Sequence, residues 1–275
     1  MKSFLLYLML FILLLTDSVN CQISHADTPQ ILEELFNRLA NNYNDNDRIR
    51  INDSIRTILY SYVKSDSVFT YRFTNLRYLG QITSPDSLLK IVTWNLLLGK
   101  EPARYYCYFI RKQEAGGENK IYALSANYNE KPVNTDTTYT QSDWYGALYY
   151  DLKPYTFDNI PCWVMLGIDF GDPNISRKLI DVLNFKPDGS MVFGRKWFAG
   201  VEEKKYRVIF EYASSAMMSL RFKSENSIIF DHLVPFKPSL KDDRQYYGPD
   251  YSIDAYDFDN GIWKLKINVD VRNEE

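Results

Sequence analysis

The stretch "DAYDFDNGIWKLKINVDV", residues 254–271, decides how the rest of the chain is read. Asn260-Gly261 is a dipeptide suited to a two-residue hairpin turn. Folding the stretch about it pairs Asp259 with Ile262, Phe258 with Trp263, Asp257 with Lys264 and Tyr256 with Leu265. Beyond the turn, Trp263, Leu265, Ile267, Val269 and Val271 alternate with Lys264, Lys266, Asn268 and Asp270. The first set is predicted to face a core and the second to face water. Asp257 then forms an exposed cross-strand pair with Lys264, and Asp259 shapes the turn. Asp254 differs, because it shares a face with Tyr256 and Phe258 and is expected near the interior of the sheet.

The same period of two recurs upstream. "SVFTYRF", "LLKIVTWNLL", "RYYCYFIRK", "KIYALSA", "WYGALYYDL", "CWVMLGIDF", "YRVIFEYA", "AMMSLRF" and "SIIFDHL" are short, β-branched or aromatic runs. They are separated by turn-forming segments such as "TSPDS", "EAGGEN", "KPDGS" and "KSEN". "RKLIDVLNF" reads as a strand or a short helix, and the "PDG" after it favours a hairpin. Long helices do not alternate with these runs, which argues against a parallel α/β sheet. The expected fold is mainly β: an antiparallel meander of roughly a dozen strands forming a twisted sheet, sandwich or barrel. A small propeller of about four to five blades is the alternative.

Before the strands come two helical segments. "TPQILEELFNRLANNY" offers Thr28 as N-cap, Pro29 at the first helical position, and a stripe of Ile31, Leu32, Leu35, Phe36 and Leu39. "NDNDRI" interrupts it, and Ile51, Ile55, Ile58, Leu59 and Tyr62 mark one face of a second helix. The division expected is a leader at 1–21, a helical hairpin at 22–66 and an antiparallel β domain at 67–275. Residues 234–250, "VPFKPSLKDDRQYYGPD", read as the longest irregular segment, of the kind that tends to carry function.

Lys2 and the apolar run "FLLYLMLFILLL" (residues 4–15) read as an export signal, since ~18 Å of helix is short of a ~30 Å hydrocarbon core. Cleavage after Cys21 is expected. The rival is a lipoprotein anchored at Cys21. No membrane span is expected after cleavage. The net charge of −3 provides no basic field to hold nucleic acid. Tyrosine is abundant, 22 against only 12 glycines, which suits strands with broad, half-buried faces. Cys107 and Cys162 either pair in an oxidising compartment or stay as two buried thiols.

"WYGALYY", "CWVMLGIDF", "KLIDVLNF", "FEYASSAMMSLRF", "IIFDHLVP" and "YYGPDYSIDAYDFDNGIW", taken in order, resemble a family of exported Bacteroidetes proteins with no assigned activity. The resemblance covers roughly residues 70–272 and is densest after 144. It implies an exported bacterial protein, periplasmic or at the cell surface, and supplies no catalytic residues. Ser54, Ser67, Ser87 and Thr137, each after an aspartate, resemble the O-glycosylation acceptor of that phylum.

The chemistry-bearing residues narrow quickly. Asp257 and Asp259 begin a pattern that fails the EF-hand at Gly261 and lacks its glutamate. His25 and His232 are too far apart for a zinc pair, and no nucleophile elbow or phosphate loop occurs. No metal, cofactor or catalytic residue is assigned. Glu211 shares a strand face with Arg207 and Ile209, and Arg221 is its expected partner. The binding candidates are Asp231, His232, Tyr247, Asp250 and Asp254. They point to a non-catalytic exported protein that binds a partner protein or a glycan through its β face and the 234–250 segment. The alternative is a secreted glycan hydrolase using two carboxylates.

Overall fold

A computed structural model describes residues 27–113, 117–129, 133–157, 159–200 and 203–270. The leader, Cys21, His25 and Val271 lie outside the described residues. Two helices, α1 (Thr28–Asn41) and α2 (Asp45–Val63), precede sixteen strands among the described residues. Three sheets result, and with the helices they stack into four layers.

The first sheet is a meander of β1 (Gly80–Thr83), β2 (Leu89–Leu96), β3 (Arg104–Arg111) and β4 (Lys120–Asn127). The second contains β5 (Tyr139–Thr140), β6 (Leu148–Phe157), β7 (Ile160–Asp169), β8 (Ile175–Phe185) and β9 (Met191–Phe193), in the order β5-β9-β8-β7-β6. Its long strand β8 also pairs with β12 (Val208–Ala213). The third is ordered β11-β10-β16-β15-β14-β13. Its strands are β10 (Phe198–Ala199), β11 (Lys204–Lys205), β13 (Leu220–Ser224), β14 (Ser227–Pro235), β15 (Tyr247–Asp259) and β16 (Ile262–Lys266). The pairing is antiparallel throughout except between β10 and β16, which run parallel.

Alternation along the inner strands creates the stack. On β2 and β3, Val92, Trp94, Leu96, Tyr106, Tyr108 and Ile110 bury against Leu32, Phe36, Ile55 and Leu59 of the helices. Their neighbours Leu89, Ile91, Tyr105, Cys107 and Phe109 point the other way, onto Tyr149, Trp163, Met165, Leu179 and Leu183 of the second sheet. The reverse face of that sheet, with Cys162, Val164, Leu166, Ile180 and Val182, covers Leu220, Ile228, Phe230, Tyr256 and Trp263 of the third. Strands buried on both faces read as near-continuous apolar runs, as "LKIVTWNL" and "CWVMLGID" do. Each such Val, Leu or Ile contributes roughly 1.5–3 kcal/mol by leaving water. Cys107 and Cys162 are both free and buried. They belong to different layers, on opposite sides of the second sheet, so they cannot meet.

The hairpin register read from the sequence holds at all four pairs, from Asp259↔Ile262 to Tyr256↔Leu265. Asn260 (φ 50°) and Gly261 (φ 77°) adopt the left-handed backbone of a primed turn. Two details differ. Asp257 pairs with Lys266 at 2.7 Å rather than with Lys264, which reaches Asp259 at 2.6 Å. Strand twist brings the diagonal partners of long side chains close enough to compete with the directly opposed ones. The alternation also stops early: β16 ends at Lys266, Asn268 (φ 54°) turns the chain, and Ile267 is exposed instead of facing the core.

Other expectations shift for local reasons. Asp27, not Thr28, stands at the N-cap of α1, and makes no side-chain capping bond. Part of "NDNDRI" belongs to α2, which Asn44 caps through the N–H groups of Asn46 and Asp47. "SVFTYRF" is a turn, not a strand. Lys90 Nζ takes the carbonyls of Val68 and Tyr71, and the side chain of Gln81 takes both the N–H and the C=O of Phe73. Those groups are lost to a strand ladder. "RKLIDVLNF" is part of β8. The 234–250 segment is less irregular than its composition suggests, because Tyr247 to Asp250 already belong to β15. What remains holds two 3-10 turns, Pro238–Leu240 and Arg244–Tyr246.

Candidate functional site

A cleft of about 720 Å³ lies between β12 of the second sheet and β14, β15 and β16 of the third, and residues 133–136 close one side. Asp231, His232 and Asp254, three of the sequence candidates, line it. Strict alternation along "FDHL" would send Asp231 and His232 to opposite faces. The β14–β15 register instead shifts between Asp231 and Leu233, where Asp250, Tyr251 and Ser252 bulge opposite His232. Bulges re-aim side chains in this way. Tyr251 marks the bulge, with φ 72° and 98% exposure.

His232 is held by a buried carboxylate. Its Nδ1 stands 2.7 Å from Asp254 Oδ2, and Asp254 Oδ1 accepts the Asn268 N–H at 3.0 Å. Asp254 is 5% exposed, as its place on the Tyr256 face leads one to expect. With Nδ1 committed to the carboxylate, Nε2 is the ring nitrogen left for a ligand. Asp231 Oδ2 accepts the Ser219 N–H at 2.7 Å, which fastens it to the approach to β13.

The other two candidates take supporting positions. Asp250 is exposed and accepts both the N–H and the hydroxyl of Ser252, at 3.0 and 2.6 Å. Those bonds hold its carboxyl below the usual carboxylate range, with a smaller contribution from His232. Tyr247 is buried; its hydroxyl donates to the Lys241 carbonyl at 2.6 Å. The Arg244 guanidinium lies over its ring, 4.3 Å from the centroid.

Glu211 lines the cleft on the opposite wall. Its partner is Arg177, not Arg221: Arg177 Nε donates to Glu211 Oε1 at 2.8 Å. The register of β7, β8 and β12 sets Asp169, Arg177 and Glu211 side by side on three adjacent strands. Arg221 lies on β13 in another sheet. The β12–β8 pairing joins segments about thirty residues apart in sequence, which no local pattern reveals.

Arg244, Asn134, Thr135 and Asp136 also line the cleft and were not found by sequence reasoning. Arg244 sits in a 3-10 turn, and residues 134–136 precede the short strand β5. Their position depends on Arg207. Its guanidinium is wholly buried and donates to the carbonyls of Asn134, of Thr137 at 2.8 Å and of Phe193 at 3.0 Å. Its Nε lies 3.2 Å from Asp181 Oδ2, and the Tyr145 hydroxyl donates to the same carboxylate oxygen. Tyr139 and Tyr145 flank it, with ring centroids 4.6 and 5.4 Å away. Burial pushes the Asp181 carboxyl up, and Arg207 draws it back down.

Among the described residues, no group of three His, Cys, Asp or Glu side chains is placed to hold a metal ion, and no helix is long and apolar enough to cross a membrane. No family model matches the chain, and neither a curated protein nor a solved structure gives a match.

Proposed function

We propose that this is an exported, non-catalytic protein that binds a glycan in the cleft between the second and third sheets. The observation carrying this reading is a polar cleft whose functional groups are fixed in advance. Glu211, Asp231 and His232 are each held by a neighbour, at 2.8, 2.7 and 2.7 Å. Carboxylates, an amide such as Asn134 and the Arg244 fork match the paired hydroxyls of a sugar, and preorganisation lowers the entropy lost on binding. The apolar lining from Ile209, Phe210, Leu233 and Leu265 suits the C–H faces of pyranose rings.

The same bonds weigh against a hydrolase. A glycosidase needs one carboxyl kept protonated in apolar surroundings as its general acid. Glu211, Asp231 and Asp254 are each tied to a nitrogen donor, and Asp136, the fourth carboxylate of the lining, is exposed and accepts the Thr135 hydroxyl, so none stands in such surroundings. The resemblance to exported Bacteroidetes proteins supports an extracytoplasmic setting, where glycans are available.

The test is a glycan array followed by calorimetry on the mature protein. At least one glycan class should bind without turnover, and the combined His232→Ala and Arg244→Gln substitutions should weaken it at least tenfold. Release of shortened sugars would move the protein to the hydrolases, and failure to bind any glycan would sink the proposal.

A further inference from the structure

A second cleft, of about 320 Å³, lies where the segment after α2 passes over β1, β2 and the bulged part of β6. Lys90 lines it and is only 2% exposed. Its Nζ donates to the Tyr62 hydroxyl at 2.7 Å, to the Tyr71 carbonyl at 2.8 Å and to the Val68 carbonyl. All three acceptors are neutral oxygens. Among the described residues, no carboxylate lies within ion-pairing distance of Lys90.

The surroundings increase the positive charge. Arg72, an exposed residue, lines the same cleft, has no carboxylate partner among the described residues either, and acts on Lys90 as a like charge. Burial, with Arg72 adding to it, draws the Lys90 ammonium down to about 8. The one carboxylate lining the cleft, Asp151, accepts the Leu152 N–H at 2.9 Å and has Lys153 as its cationic neighbour. Burial pushes the Asp151 carboxyl up, and it forms no ion pair with Lys90 or Arg72 among the described residues. The chain as a whole carries an excess of carboxylates, 35 acidic against 32 basic residues, so the shortage here is local.

A neutral donor would serve to tie the Val68 and Tyr71 carbonyls. A buried ammonium beside a second unpaired cation carries a large desolvation penalty unless a negative charge arrives. We infer that this cleft binds a small oxyanion, a carboxylate or phosphate group, which supplies the counter-ion to Arg72 and Lys90. Arg72 presents a planar fork for direct contact, and Lys90, whose three protons are already engaged, contributes its charge from beneath.

The experiment titrates the purified protein with phosphate and, separately, with acetate, each against sodium chloride at matched ionic strength and pH 7. Calorimetry and thermal unfolding are read together. At least one anion should bind with a stoichiometry of one and raise the melting temperature beyond chloride, and the arm that saturates identifies the group. Arg72→Gln, at an exposed position, should fold normally and bind at least tenfold more weakly. With the anion bound, the Lys90 Nζ resonance should titrate at a higher pH than without it. The inference is overturned if neither anion exceeds chloride, or if Arg72→Gln binds as the wild type does.

Discussion

His232 Nδ1 and Asp254 Oδ2 stand 2.7 Å apart, and the same carboxylate also receives the backbone of Asn268. Asp254 thus couples the cleft histidine to the point where the chain leaves β16. Asp254→Ala should lower stability by about 1 kcal/mol, since the part-buried Asn268 N–H and the His232 ring lose their shared carboxylate. Asp254→Asn keeps an acceptor for Asn268 and should be milder. Urea denaturation measures the first effect. Amide exchange at Asn268, faster in the alanine variant than in the asparagine variant, checks the assignment.

Arg207 and Asp181 form an ion pair with both side chains at zero exposure. Arg207→Met would leave a buried carboxylate uncompensated and should cost about 3–5 kcal/mol. Adding Asp181→Leu should recover part of that loss, because the stranded charge is gone. Gly194→Ala attacks the same spot from outside. Position 194 has φ +93°, and an added Cβ would fall 2.4 Å from Arg207 Nη2. That variant should lose at least ~1 kcal/mol from the backbone conformation alone. It should also weaken glycan binding, because Arg207 holds the Asn134 and Thr137 carbonyls beside the cleft.

The sequence carried much of this because its strongest signals are local. Asn260-Gly261 defined the hairpin, and the aromatic alternation marked the β15–β16 pairing and the burial of Asp254. What escaped is non-local or irregular. Glu211 acquires Arg177 through a pairing that skips the intervening strand β9 and the β10–β11 pair. Asp231 and His232 share a cleft only because the strand opposite them bulges. "SVFTYRF" has strand propensity, yet a lysine and a glutamine from strands that follow occupy its backbone. Tertiary contacts override β propensity in such places. Three stacked sheets also could not be separated from one curved sheet, because residues buried on both faces weaken the period-two signal.

Cys107 and Cys162 face different layers, and burial pushes both thiols up, Cys162 to about 11. Neither should react with a thiol reagent in the native protein, because thiolate and access are both lacking. In denaturant a protein produced from Gln22 onward should release two thiols. A reductant should leave the melting temperature unchanged. A native protein showing no thiol after unfolding would mean that the two are paired.

Lys90 sets the sign of a pH effect. Its folded value of about 8 lies below the ordinary 10.5. Between those values the unfolded chain holds a proton that the folded state has released. Stability therefore rises with pH there, by up to about 1.4 kcal/mol per unit. Tyr62 beside it acts in the opposite sense at higher pH. Burial raises its phenol, so the folded state keeps a proton that the unfolded chain loses above about 10. The window in which Lys90 acts without Tyr62 is about pH 8 to 10. Tyr71, Arg72 and Asp151 are the other ionisable groups lining that cleft, and both proteins in a Lys90→Met comparison carry them. Over that window, urea unfolding in chloride buffer should show wild type gaining about 2 kcal/mol on Lys90→Met. A difference that stays flat would show that the ammonium is not under strain from burial. A saturating oxyanion should move the rise to higher pH, because it restores the charged form of Lys90 in the folded state.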